Sequence, residues 1–160
     1  MGIEIAEGAF DESLKAGPIV DFLYEHDGLP MSSTHADEDV RLGLELKGKK
    51  LKYSASLDPE QADAALIHQK VGKGLLREAS FSAAILDGDF AERDGEEVFV
   101  MTRGELDRGD ISVVRNGANP NTTAQATAGP EPGGRTIGQR AGRSLDLRGC
   151  LIGIERQGQD

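Results

Sequence analysis

The chain has 160 residues, enough for one domain with a real core, and carries a net charge of −10 from 18 basic and 28 acidic side chains. That balance excludes nucleic-acid binding through a general basic surface, and the lack of any long uncharged apolar run excludes a membrane-spanning helix. A single cysteine, Cys150, leaves no internal disulfide and no Cys-based zinc site, as suits a reducing compartment.

The charge is uneven. Residues 125–160 hold five Arg against four carboxylates, which leaves 13 basic and 24 acidic side chains in residues 1–124. The acidic character therefore belongs to the part expected to fold, where it favours solubility. Aromatics make up only 4% and there is no Trp, while 21 glycines call for many turns or a flexible segment.

The start, Met1 to Gly8, lacks the basic segment and apolar core of a secretory leader. Ile3 to Ala6 is a short apolar and acidic stretch, and Glu7 to Leu14 is expected to open a short helix. Pro18 to Tyr24 is apolar and β-prone, a buried strand. It runs into Glu25-His26-Asp27-Gly28, where Asp-Gly signals a turn. His26 thus stands at the exit of a buried strand, rigid on one side and accessible on the other.

Val40, Leu42, Leu44 and Leu46 alternate with polar residues, as do Leu51, Tyr53, Ala55 and Leu57. These two period-2 runs around Lys47-Gly48-Lys49 predict a β-hairpin. Asp58-Pro59-Glu60-Gln61 then reads as a helix start, with Asp58 as N-cap and Pro59 at the first helical position. Ala64, Ile67, His68 and Val71 share one face of that helix, and Gly72-Lys73-Gly74 ends it.

Arg77 to Leu86 reads as a strand with Ala79, Phe81, Ala83 and Ile85 on one face and Ser80, Ser82 and Ala84 on the other. The second face is small and hydroxylated where a buried strand normally carries Val or Ile, so it leaves room for something to approach. Asp87 to Gly95 is expected to turn, Glu97 to Met101 and Asp110 to Val114 to form strands, and Arg115 to Pro120 to close the core. From Gln125 the texture changes: eight Gly and two Pro in 36 residues predict a flexible, dispensable tail in which only Leu145 to Ile154 is apolar enough to dock or pair. Cys150, within it, is expected to be a free thiol without a catalytic role.

A hydroxyl, a base and a carboxylate that orients the base are the requirements of serine-based acyl transfer. The hydroxyl candidates are Ser80 and Ser82, and the bases are His26, His35 and His68. His68 lies on the apolar face of a helix and reads as structural, while His35 lies in the polar loop Ser33-Thr34-His35-Ala36-Asp37. His26 has the best setting. Alternation along the strand does not choose between Ser80 and Ser82.

Taken in order, the segments Glu7-Gly8-Ala9-Phe10, Glu25-His26-Asp27, Arg41-Leu42-Gly43-Leu44, Gly72 to Ser82, Asp110 to Val114 and Gly117-Ala118-Asn119-Pro120 resemble the prohead (capsid maturation) serine proteases of tailed bacteriophages, a family related in fold to herpesvirus assemblin. The resemblance covers about residues 3–124. It implies His26 as catalytic base, Ser80 as nucleophile and Asp110 as the third member. Arg115, just beyond the Asp110 strand, is a candidate oxyanion donor, against its reading as a solvated loop charge. The chain departs from the family pattern in three places. Ser82-Ala83 stands where Gly-Phe is usual, Asp110 replaces the more usual Glu, and the chain begins close to Gly8-Ala9-Phe10, where relatives usually carry an extra N-terminal strand.

The implied fold is α+β: a β-rich, antiparallel, barrel-like (assemblin-like) domain over residues 1–124 with a few peripheral helices, followed by the flexible tail 125–160. The implied activity is a serine endopeptidase without cofactor or metal. Its expected substrates are the scaffolding segment of the major capsid protein and the protease itself, inside the assembling prohead in the cytoplasm of the bacterial host. A homodimer or higher homo-oligomer is the family expectation, with neither nucleic acid nor membrane as partner. Two other readings fit the residues: an inactive scaffold component of the same fold, and an unrelated β-rich binding module in which Ser80, His26 and Asp110 never meet.

Overall fold

In a computed structural model of the chain, residues 2–47, 50–117, 122–128 and 145–153 are described. Lys47-Gly48-Lys49, residues 118–120 and the Cys150 side chain, on all of which expectations rested, lie wholly or partly outside them.

Two sheets make the frame. The first is built on a long hairpin of β6 (Glu78–Arg93) and β7 (Glu96–Val114). Asp94 and Gly95, at φ 54° and 82°, form its tight turn, so the expected turn over Asp87–Gly95 shrinks to its last residues and the two expected strands after it merge into β7. Along the other edge of β7 lie two parallel strands in succession. β1 (Gly2–Ile5) pairs with Val98–Met101, and β2 (Asp21–Tyr24) with Asp110–Val113. Outside β2 runs β3 (Asp27–Ser33), an antiparallel strand that takes in the Asp27-Gly28 expected to turn.

The second sheet is antiparallel. β4 (Leu42–Lys47) and β5 (Lys50–Leu57) form the expected hairpin, then β9 (Leu145–Gly153) pairs with β5 and β8 (Gln125–Ala128) with β9. A parallel bridge, Ser33 to Arg41, joins the sheets, and a 3₁₀ turn at Glu38–Val40 lies between its two residues. Between them lies the core: Phe22 of β2 stacks on Tyr53 of β5 at 5.9 Å, with Ala79, Ile111 and Val113 buried from the first sheet and Leu51, Leu57 and Leu147 from the second. Each of the larger side chains contributes about 1.5–3 kcal/mol by leaving water.

Two expectations are corrected. Among the described residues the sheets do not close into an antiparallel barrel. β7 takes parallel neighbours along one edge, so the first sheet is mixed, and the second is a separate layer. The tail expected to be dispensable also supplies β8 and β9. Leu147 and Leu151 are buried, and β9 runs beside β5 from Leu57 to Lys50. The alternation Leu145, Leu147 gives β9 one apolar face, and the exposed edge of β5 gives it a ladder.

The helices are peripheral, as expected, but begin later than the sequence suggested. α1 spans Asp11–Lys15 and α2 spans Ala62–Gly72, burying Ala64, Ile67 and Val71. Asp58 does not cap α2; its carboxylate accepts the Glu60 N–H at 2.9 Å and closes a local turn that delays the helix.

Candidate active site

The site grows from the pleat of the first sheet. On β7 the residues Ile111 and Val113 face the core, so Asp110 and Ser112 face away from it. Register puts Ser80 of β6 opposite Ser112 and Ser82 opposite Asp110, which gathers three hydroxyls and one carboxylate on a single face. The hydroxylated side of β6 is therefore continued across the ladder by β7.

Just before this patch β7 departs from regular pairing. Between the partners Ala84–Glu105 and Ser82–Asp110 it inserts Leu106 to Gly109 opposite Ala83 alone, with Arg108 at φ 65°. The bulge is pinned on three sides. The Leu106 N–H donates to Ser13 Oγ at 2.9 Å, the Arg108 N–H to the Ile19 carbonyl at 2.8 Å, and the Ile19 N–H to Asp107 Oδ1 at 2.8 Å. This re-aims β7 so that Asp110 rejoins β6 at Ser82.

His26 reaches the patch from the β2–β3 turn. The turn is Glu25-His26, one step earlier than the Asp27-Gly28 signal suggested, because Tyr24 pairs with Asp27. Both turn residues take positive φ, 53° and 58°, as a two-residue hairpin turn of this hand requires. Neither is Gly, so each costs about 1 kcal/mol or more. The surrounding contacts offset this: the Glu25 N–H donates to the Val113 carbonyl at 3.1 Å, and the His26 N–H to Ser112 Oγ at 3.0 Å.

The imidazole is thereby carried onto Asp110, with Nδ1 2.5 Å from Oδ1. A carboxylate accepts, so Nδ1 bears the proton, and in the neutral ring Nε2 is left as the acceptor. Asp110 is only 15% exposed and His26 36%, so the pair is half-shielded with the imidazole outermost. The carboxylate accepts two further bonds, from Ser112 Oγ to Oδ1 at 2.8 Å and from Ser82 Oγ to Oδ2 at 2.7 Å. Ser82 Oγ also accepts the Asp110 N–H at 3.0 Å.

These contacts separate the two serines that strand alternation left equivalent. The Ser82 proton is given to Asp110, so Ser82 tethers the acid. The Ser80 hydroxyl, half-buried on the same face, makes no hydrogen bond among the described residues. Of the other histidines, His35 turns its Nε2 to the Gly17 carbonyl at 3.1 Å, and His68 lies on α2 beside the second sheet; neither joins the patch.

Arg115, the candidate oxyanion donor, is engaged elsewhere. Its N–H donates to Glu25 Oε1 at 2.6 Å and its guanidinium Nε lies 3.3 Å from the same atom. It braces the turn that carries His26. Sequence reasoning missed Ser112 and the bulge, although both leave signals: Ser112 is two residues from Asp110 on a strand, hence on its face, and Asp107-Arg108-Gly109 is a turn-like tripeptide inside a β-prone run. A concavity of about 280 Å³ lined by Phe90, Ala91, Glu92, Gly95 and Glu97 lies at the far end of the β6–β7 ribbon, away from His26.

No group of three or more His, Cys, Asp or Glu able to hold a metal ion occurs among the described residues, and no helix there is long and apolar enough to cross a membrane. A family model described as caudovirus prohead serine protease matches residues 2–131, most of the chain. No curated protein and no solved structure matches it.

Proposed function

We propose, for a chain that belongs to the caudovirus prohead serine proteases, that it is a capsid-maturation endopeptidase in which Ser80 is the nucleophile, His26 the base and Asp110 the orienting acid. The observation that carries this reading is the 2.5 Å contact of His26 Nδ1 with Asp110, which leaves Nε2 as the acceptor nitrogen, while Asp110 shares its strand face with Ser112, the ladder partner of Ser80.

In this reading Ser80 Oγ attacks the scissile carbonyl as Nε2 takes its proton. The imidazolium is held by Asp110, then returns the proton to the leaving amine, and water repeats the cycle on the acyl-enzyme. General base catalysis of this kind contributes about 10²–10⁴ in rate, and preorganised donors to the oxyanion supply much of the remainder. The substrate is the scaffolding segment of the major capsid protein, cleaved inside the prohead, with the protease also cutting itself and acting as a homo-oligomer.

A fluorophosphonate probe tests the reading directly. Labelling of the wild-type chain at Ser80, lost in Ser80→Ala and in His26→Ala while both remain folded, is the expected result. Equal labelling of Ser80→Ala, or loss of label only in Ser82→Ala, overturns the assignment of Ser80. A folded wild-type chain that neither labels nor cleaves the capsid protein on co-expression makes it an inactive component of the same family.

A further inference from the structure

We propose that Ser112 is the positioning residue of this site: one buried hydroxyl that ties the backbone of the base to the head of its acid. The inference deepens the reading above and rests on His26 and Asp110 being that base and acid.

Ser112 is fully buried, and the residues beside it along β7, Ile111, Val113 and Val114, are buried and apolar. A hydroxyl in such a place is unfavourable unless its hydrogen-bonding capacity is used, and Val or Ala would suit the strand better. Here both roles are used. Oγ donates its proton to Asp110 Oδ1 at 2.8 Å and accepts the His26 N–H at 3.0 Å.

The two partners come from different elements. Asp110 belongs to β7, and His26 to a turn held at positive φ by its contacts and not by a glycine. The Val113 carbonyl also holds that turn, through the Glu25 N–H, but it is not bonded to His26 or to its acid. Ser112 closes the circuit from the His26 N–H through its own Oγ to Oδ1, the atom that Nδ1 also meets. The backbone and the ring of one residue are thus referred to a single carboxylate oxygen. Ser82 differs: both of its bonds go to Asp110, so it fixes the acid without touching the base. Ser112 is also directly across the ladder from Ser80, yet its proton is committed, so it supports the candidate nucleophile's face without competing for attack.

The test compares full-length wild type, Ser112→Ala and Ser82→Ala by two readouts. The first is the His26 Nδ1–H proton resonance of the histidine-labelled protein, which reports the contact with Asp110 whether or not the chain is active. The second is the saturation kinetics of labelling by a fluorophosphonate, which separates probe binding from the covalent step. Ser112→Ala is expected to broaden or lose the Nδ1–H signal and to slow the covalent step about 10- to 100-fold with probe affinity within about twofold, since a small misplacement of a base costs that much. Ser82→Ala is expected to keep the signal, and Ser112→Thr, which retains the hydroxyl, to recover it. Should Ser112→Ala not fold, Ser112→Cys keeps the size with a much weaker donor and is expected to show the same loss.

An unchanged Nδ1–H signal and an unchanged covalent step in a folded Ser112→Ala or Ser112→Cys protein overturn the proposal. Failure of the wild type to label would instead overturn the catalytic reading, and the resonance would still decide whether Ser112 positions His26.

Discussion

Gly109 lies against the carbonyl of Ser82: a Cβ at position 109 would stand 2.1 Å from that oxygen and 3.0 Å from the carbonyl of Leu106. Both obstacles are backbone, so neither can swing aside, and glycine is required here by close approach. The contact is where β7 leaves its bulge and rejoins β6, one residue before Asp110. Gly109→Ala is therefore expected to push the two strands apart at Ser82 and to move Asp110 away from His26. Fluorophosphonate labelling should fall by about 100-fold, with a clear drop in melting temperature. Normal labelling would mean that the bulge does not set the position of Asp110.

Substitutions within the proposed triad should be non-additive. Ser80→Ala and His26→Ala are each expected to abolish cleavage of the capsid protein, and the double mutant to be no worse than either single, because one proton relay is lost in all three. Asp110→Asn should cost an intermediate amount. Ser82→Ala should cost about tenfold or less, since it frees one side of the carboxylate and leaves the 2.5 Å contact with His26 in place. Additive losses in Ser80→Ala/His26→Ala would argue that the two act separately.

Arg115 provides a test of the oxyanion site. Its side chain is 73% exposed and pairs with Glu25, and such a pair is worth about 0–1 kcal/mol. Arg115→Ala is expected to change activity by a few-fold only and stability very little. A loss of about 100-fold or more in the rate at saturating substrate would instead assign it to the oxyanion, where a single donor carries that much.

β9 is expected to be indispensable for stability. Leu147→Ala removes a fully buried side chain from the inter-sheet core and should cost about 2–5 kcal/mol, read as a lowered denaturation midpoint. Ending the chain after Ala124 removes both β8 and β9 and leaves Leu51 and Leu57 without their cover, so it should prevent cooperative unfolding from being seen at all. A truncated chain with an unchanged melting temperature would show that β9 only rests on β5.

Glu105 confers a pH dependence on the bulge. Hydrogen bonds from the Ser13 hydroxyl first, then from the Asp107 N–H, hold its carboxyl below the usual 4.5, against partial burial and the Asp107 charge. A depressed carboxyl contributes stability above its unfolded value and loses it as pH falls through the lower folded value. Melting temperature should therefore fall more steeply between pH 5 and pH 2 in the wild type than in Glu105→Gln or Ser13→Ala. Parallel curves would remove Glu105 from the acid response.

Much of this protein was legible in one dimension. The alternation of Leu42 to Leu57 determined the β4–β5 hairpin, the period-3.6 pattern of Ala64, Ile67 and Val71 determined the buried face of α2, and the small hydroxylated face of β6 marked Ser80 and Ser82 before any contact was known. The order of segments identified the family, and the resemblance pointed to His26, Ser80 and Asp110 as the triad proposed above. These are properties of neighbouring residues or of chain order, so sequence carries them. What the tertiary structure decided depends on pairing between distant strands. Alternation cannot tell Ser80 from Ser82, because both point the same way; the register of β6 on β7 puts Ser82, and not Ser80, within bonding distance of Asp110. Sequence marked Leu145 to Ile154 as able to dock or pair but not with what, because the partners of β9, β5 far earlier in the chain and β8, are set only by the fold. The turn at Glu25-His26 has no glycine to announce it, and its conformation is held by Ser112 and Val113 from across the sheet. Local patterns set which elements form, while long-range hydrogen bonds set which side chains meet.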